Sequence, residues 1–160
     1  MTVKSFEQYF QSLILVCVSF MIASGIFFSV VLSITSNRHN AVASPQQIFI
    51  LNIIAPVFAA AGLAVGWLVI KRGIAKAKQK PTLDEKLGMY KMYIIARYAL
   101  MDAPSLFATL CCLLTGHKTL LAVTGAMLLM MVVTLPRKKQ LMTQLAFSRQ
   151  QIDFINSTGQ

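Results

Sequence analysis

Charge is what this sequence has least of. Asp, Glu, Lys and Arg together make up 12% of its 160 residues, against about a quarter in soluble domains. A chain with so little charge cannot surround a core with solvated surface, so a water-soluble globular domain is excluded. Acid is scarcer than base, with five Asp and Glu against fifteen Lys and Arg. There is no glycine-rich phosphate loop and no clustered acid pair suited to hydrolysis. The two histidines, His39 and His117, stand apart with no ligand-type neighbours. Enzymatic chemistry, a metal site and a cofactor are therefore not expected. Three cysteines are too few for a disulfide framework. Cys17, Cys111 and Cys112 lie inside apolar runs, where cysteine behaves as a small buried hydrophobe.

What is present is apolar. Hydrophobic residues make up 56% of the chain and the mean hydropathy is +0.66. Four apolar runs stand out, residues 12–34, 48–70, 92–114 and 120–135. A helix needs about 20 residues to cross a bilayer. The first three runs are long enough. The fourth, with 16 residues, is expected either to continue through Pro136 with a kink or to sit in locally thinned bilayer. The first run exceeds the apolar core of a cleaved signal peptide, despite Ala41-Val42-Ala43 behind it, and is expected to be retained.

Helix ends are marked. Ser44-Pro45-Gln46-Gln47 places a capping serine before a proline at the first helical position, with Gln47 to close a capping box. Thr82-Leu83-Asp84-Glu85 is a second box. It predicts that the third helix begins near Leu83, outside the apolar run, and enters it as one long rod. Gly116 predicts a stop before a tight turn at His117-Lys118.

The net charge of +10 is a topology signal rather than a nucleic-acid footprint, because the cations flank apolar runs. With the N-terminus inside, twelve of the fifteen fall on the cytoplasmic side: Lys4, the six from Lys71 to Lys86, Lys91, and Arg137, Lys138, Lys139 and Arg149. Arg38 and Lys118 fall outside, and Arg97 lies within the third run. This split predicts both termini cytoplasmic. Cys17 and Cys111 then lie toward opposite sides and cannot bridge.

Arg97 and Asp102 are the two charges inside a run. Asp102 lies at the middle of the third run, at the expected bilayer midplane, and Arg97 lies about 7 Å nearer the cytoplasm. Lys91, Tyr98, Asp102, Ser105, Thr109 and Cys112 recur at helical spacing and share one face. A polar face on a transmembrane helix points at protein or water. Arg97 is rotated about 140° from Asp102, so each charge is expected to find its partner on another helix or another subunit. Two roles for Asp102 stay open, a structural ion pair and a proton or ion site, with Arg97, Tyr98, Ser105 and Thr109 as its expected company.

The other runs are small or hydroxylated at the same depth: Ala23-Ser24-Gly25, Ala59 to Gly62, and Thr124-Gly125. Gly62 and Gly66 form a GxxxG, and Gly25, Ser29 and Ser33 continue the pattern on the first helix. These read as close helix packing, which is compatible with a small polar cavity around Asp102. Asn52 and Pro56 read as packing in the second helix.

The tail from Arg137 carries Leu141, Leu145, Ile152 and Ile155 at helical spacing and predicts an amphipathic cytoplasmic helix. Its cations Arg137 to Lys139, and those between Lys71 and Lys80, suit anionic lipid headgroups. The loop from Lys71 to Lys80 is expected to extend the second helix beyond the membrane.

Two likenesses follow. The capping box, then "RYALMDAPSLFATLCCLLTG", a short last run and a basic tail from Pro136 resemble small four-helix membrane proteins of Bacteroidetes-type bacteria with no settled activity. Their third helix also carries an Arg, then a carboxylate followed shortly by a Pro. The likeness covers roughly residues 45–145 and implies a bacterial inner membrane. Residues 99–106 alone resemble the proteolipid subunits of rotary ATPases, which place one carboxylate at mid-helix. Here the carboxylate is on the third helix and the first helix lacks the dense glycine repeat of ring subunits.

The expected architecture is an all-α four-helix transmembrane bundle over residues 1–136, followed by a basic amphipathic cytoplasmic tail over 137–160. The expected function is that of a non-enzymatic subunit or accessory protein of a membrane assembly. Its partners are the lipid bilayer and either further copies of itself or other membrane subunits, with no nucleic acid. The alternative is a small proton- or ion-coupled transporter or channel, working as an oligomer, with Asp102 as its titratable site.

Overall fold

The computed structural model describes residues 3–37, 43–136 and 141. Within them the chain forms four helices, α1 (Val3–Asn37), α2 (Pro45–Lys78), α3 (Leu83–Thr115) and α4 (Thr119–Val133). The first three are long and apolar enough to cross a membrane. This makes the chain a membrane protein of all-α class.

Local chemistry sets the ends. Ser44 Oγ accepts the Gln47 amide at 3.4 Å, and Gln47 Oε1 accepts the Ser44 amide at 2.9 Å, which completes the capping box of α2. Thr82 Oγ1 accepts the Glu85 amide at 3.3 Å. The Glu85 carboxylate lies 3.9 Å from Lys80 Nζ across the turn, so this cap does not close as a full box. Gly116 ends α3 in the left-handed conformation, φ 70°, where a residue without Cβ meets no steric cost. α2 continues through Lys71 and Arg72 to Lys78, and α3 is unbroken from Leu83, through Pro104, to Thr115.

Of the two expectations for α4, the structure shows the short helix. It does not run on through Pro136 but ends at Val133. Thr134 caps it, its amide bonding the Met130 carbonyl at 3.0 Å and its hydroxyl the same carbonyl at 2.7 Å. Pro136 has no N–H with which to continue the ladder and disfavours helix in the residue before it. At 15 residues, α4 is shorter than the other three. Arg38, His39 and the tail stripe beyond Leu141 lie outside the described residues, as do Arg137, Lys138 and Lys139.

α3 is the axis of the bundle. It packs on α1, α2 and α4, most extensively on α2, whereas α1 and α2 scarcely meet among the described residues. The most apolar stretch of α3 is 56% buried, against 17% for α1 and for α2, so the outer helices keep broad apolar faces. Two apolar clusters fill the interior. One holds Leu13, Cys17, Ile94, Tyr98, Met101 and Met131, and it also takes in Leu141, the first apolar residue of the tail. The other holds Val31, Ala55, Ala108, Cys111, Leu120 and Leu121. The three cysteines are free, with Cys17 in the first cluster and Cys111 and Cys112 in the second.

Candidate functional site

Between the two apolar clusters lies a layer of buried polar side chains. α1 contributes Ser24, α3 contributes Asp102, Ser105 and Thr109, and α4 contributes Thr124. The helical period explains the α3 set: Tyr98, Asp102, Ser105, Thr109 and Cys112 are all buried, on the face that α1 and α4 cover.

Ser24 Oγ donates to Asp102 Oδ1 and so ties α1 to the middle of α3. Thr109 Oγ1 and Thr124 Oγ1 are 2.9 Å apart, and both donate toward the Ser105 carbonyl, at 2.9 and 3.3 Å. Tyr98 donates its hydroxyl to the Met131 carbonyl at 2.9 Å, a second tie between α3 and α4. The Ser105 hydroxyl, one turn beyond Asp102, is fully buried and has no partner among the described residues. Nearer the start of α1, Lys91 Nζ donates to Ser12 Oγ at 3.0 Å, and the Tyr9 hydroxyl donates to the Leu87 carbonyl.

Arg97 is not part of this layer. It makes no ion pair with Asp102. Its stem lies over Gly66, where a Cβ would stand 3.5 Å from Arg97 Cγ. Its side chain lines a separate crevice of about 400 Å³ between α2, α3 and the end of α4. The rotation between Arg97 and Asp102 along one helix accounts for the separation. The layer therefore consists of one carboxyl and several hydroxyls, with no cation beside it among the described residues. Such a set can keep a proton on the carboxyl, or offer oxygen ligands to a small cation.

The glycines fall in two settings. A Cβ on Gly62 would stand 2.6 Å from Pro104 Cγ and 2.7 Å from the Leu100 carbonyl oxygen. Only glycine permits that approach of α2 to α3. Gly73 is pressed in the same way against the Tyr93 ring. A Cβ on Gly25 would have nothing within 4 Å. Ser29 is exposed and donates back to the Gly25 carbonyl at 2.8 Å. Asn52 Oδ1 is buried without a partner among the described residues.

The lining of the crevice, above all Trp67, Lys71 and Tyr90, was not legible as a site in the sequence. The signal was there in the spacing. Trp67 and Lys71 are four apart on α2, and Tyr90 and Arg97 seven apart on α3, which puts each pair on one face. Among the described residues, no three His, Cys, Asp or Glu side chains gather as a metal site. No family model, no curated protein and no solved structure matches the chain.

Proposed function

We propose that the chain is a non-enzymatic multi-pass protein of a bacterial inner membrane that works as a subunit or accessory protein of a membrane assembly. In this reading α4 is a fourth crossing and both termini are cytoplasmic, on the strength of the cation asymmetry. The observation that carries the reading is the open face of α1. Among the described residues a Cβ on Gly25 would meet nothing within 4 Å, and Ser29 is exposed, although small residues in a membrane helix serve close packing. A helix from a second copy or another subunit supplies what this chain leaves uncovered. The test is the oligomeric state in lipid nanodiscs, by subunit counting. Gly25→Leu lowers the oligomeric fraction while the monomer stays folded. An unchanged oligomeric fraction, or a wild-type protein that is monomeric and complete, sinks the proposal.

A second reading, proton or ion handling at Asp102, is favoured by one specific observation. The carboxyl is held by the Ser24 hydroxyl and not by a cation. An intramembrane carboxyl without a counter-charge is a site for an exchangeable proton or a small cation. The purified protein in liposomes then carries a flux that Asp102→Asn abolishes, since that change keeps the shape and removes the titratable proton. Equal flux through that variant overturns this reading and leaves Asp102 as a lock between α1 and α3.

A further inference from the structure

We propose that the crevice where α4 ends binds the phosphate of an anionic lipid headgroup, with Arg97 and Lys71 as its cationic contacts and the Tyr90 hydroxyl as a further donor. The inference rests on the membrane placement of the chain and does not depend on what Asp102 does.

The crevice exists because α4 stops early. α2 and α3 continue side by side past the last turn of α4, and the notch between the two rods and Thr134 has a volume of about 400 Å³. Three features make it an anion site. The first is charge. Arg97 comes from α3 and Lys71 from α2, and neither pairs with a carboxylate among the described residues. Two cations that line one notch are drawn together by an anion between them. A guanidinium offers the forked donors that phosphate takes. The second feature is Tyr90, which is 3% exposed overall, lines the notch, and makes no hydrogen bond among the described residues. The third is room for Arg97. Its stem crosses α2 at Gly66, where the bare backbone leaves ordinary van der Waals clearance.

The surroundings choose lipid over a soluble phosphate. Val133 at the rim is 66% exposed and Trp67 is 57% exposed, so apolar surface that suits acyl chains continues from the notch. Lys71 Nζ sits 5.0 Å from the centroid of the Trp67 ring. An exposed Trp beside a Lys, at the end of an apolar run, marks the boundary between hydrocarbon and headgroups.

The chain carries its own reporter, because Trp67 is its single tryptophan and lines the crevice. The protein in neutral maltoside micelles is titrated with phosphatidylglycerol, with phosphatidylcholine and with inorganic phosphate, while Trp67 emission is followed. Phosphatidylglycerol gives a saturable change, and phosphatidylcholine at the same concentration gives none. Arg97→Gln weakens the binding roughly tenfold, the scale expected for losing a charge-assisted pair. Lys71→Gln weakens it less, because Lys71 is exposed. Asp102→Asn binds as the wild type, which separates this site from the polar layer. If Arg97→Gln does not fold, Lys71→Gln decides, and an unchanged titration overturns the proposal. Equal titration by phosphatidylcholine overturns it as well. Saturation by millimolar inorganic phosphate also overturns it and makes the site one for a soluble anion.

Discussion

Gly62 on α2 and Gly25 on α1 stand near the middle of their apolar runs and differ in what lies against them. A Cβ on Gly62 would strike the Pro104 ring and the Leu100 carbonyl of α3, whereas one on Gly25 would meet nothing within 4 Å. The two helices reach α3 by different physics. α2 approaches through bare backbone at Gly62 and Gly73, and van der Waals contact along that line holds the pair. α1 has no such line; besides the apolar packing of Leu13, Cys17 and Val31, it is attached by side-chain hydrogen bonds, from Ser24 to Asp102, from Lys91 to Ser12 and from Tyr9 to the Leu87 carbonyl. One small-residue pattern is consumed inside the chain and the other is left on its outside.

The sharpest way to break this comparison is to add one methyl group to each glycine. In an unobstructed helix, Gly→Ala stabilises by up to about 1 kcal/mol. At Gly62 the sign reverses. Neither a proline ring nor a helical carbonyl can rotate away, so α2 and α3 must separate, and overpacking of this kind costs about 1–3 kcal/mol. Gly62→Ala therefore lowers the thermal midpoint in detergent, with the largest effect of the set. A midpoint at or above that of the wild type would show that α2 is not seated on α3 at this point.

Much of the fold was legible because its signals are local. The Ser44 box, the Thr82 cap and the Gly116 stop each depend on a few neighbouring residues, and each helix begins or ends there. The burial of Tyr98, Asp102, Ser105, Thr109 and Cys112 follows from period alone. The fates of Gly62 and Gly25 could not be read this way, because small-xxx-small looks the same whether the partner helix belongs to the same chain or to another. The end of α4 was hidden by composition. Apolar residues run on to Leu135, while Thr134 and Pro136 bring the helix to a close. With the stop left open between two alternatives, the crevice it leaves beside Arg97 was unread.

The polar attachment of α1 gives the next effect. Ser24→Ala removes the hydroxyl that donates to Asp102. An unsatisfied buried acceptor costs about 1–3 kcal/mol, and here the cost falls on the α1–α3 contact. The check is a double-mutant cycle of Ser24→Ala with Asp102→Asn, read by stability in detergent. A coupling close to zero would mean that α1 is not held at this point. Thr124→Val is milder, about 0.5–1.5 kcal/mol, because Thr109 keeps its own bond to the Ser105 carbonyl at 2.9 Å.

The smallest expected effect is the most informative about function. Gly25→Ala adds a methyl group to open space, so the isolated chain should be as stable as the wild type, or more stable by up to about 1 kcal/mol from helix propensity. In a bilayer the same methyl group stands on the face that we assign to a second subunit, where close backbone approach depends on small residues. Stability of the monomer and strength of association then move in opposite directions. That divergence separates an assembly face from an ordinary lipid-facing surface. On a lipid-facing surface, the stability gain would appear alone and subunit counting in nanodiscs would not change. If instead Gly25→Ala destabilised the isolated chain, α1 would have to pack inside the bundle at this point. The contrast between the two glycines would then disappear.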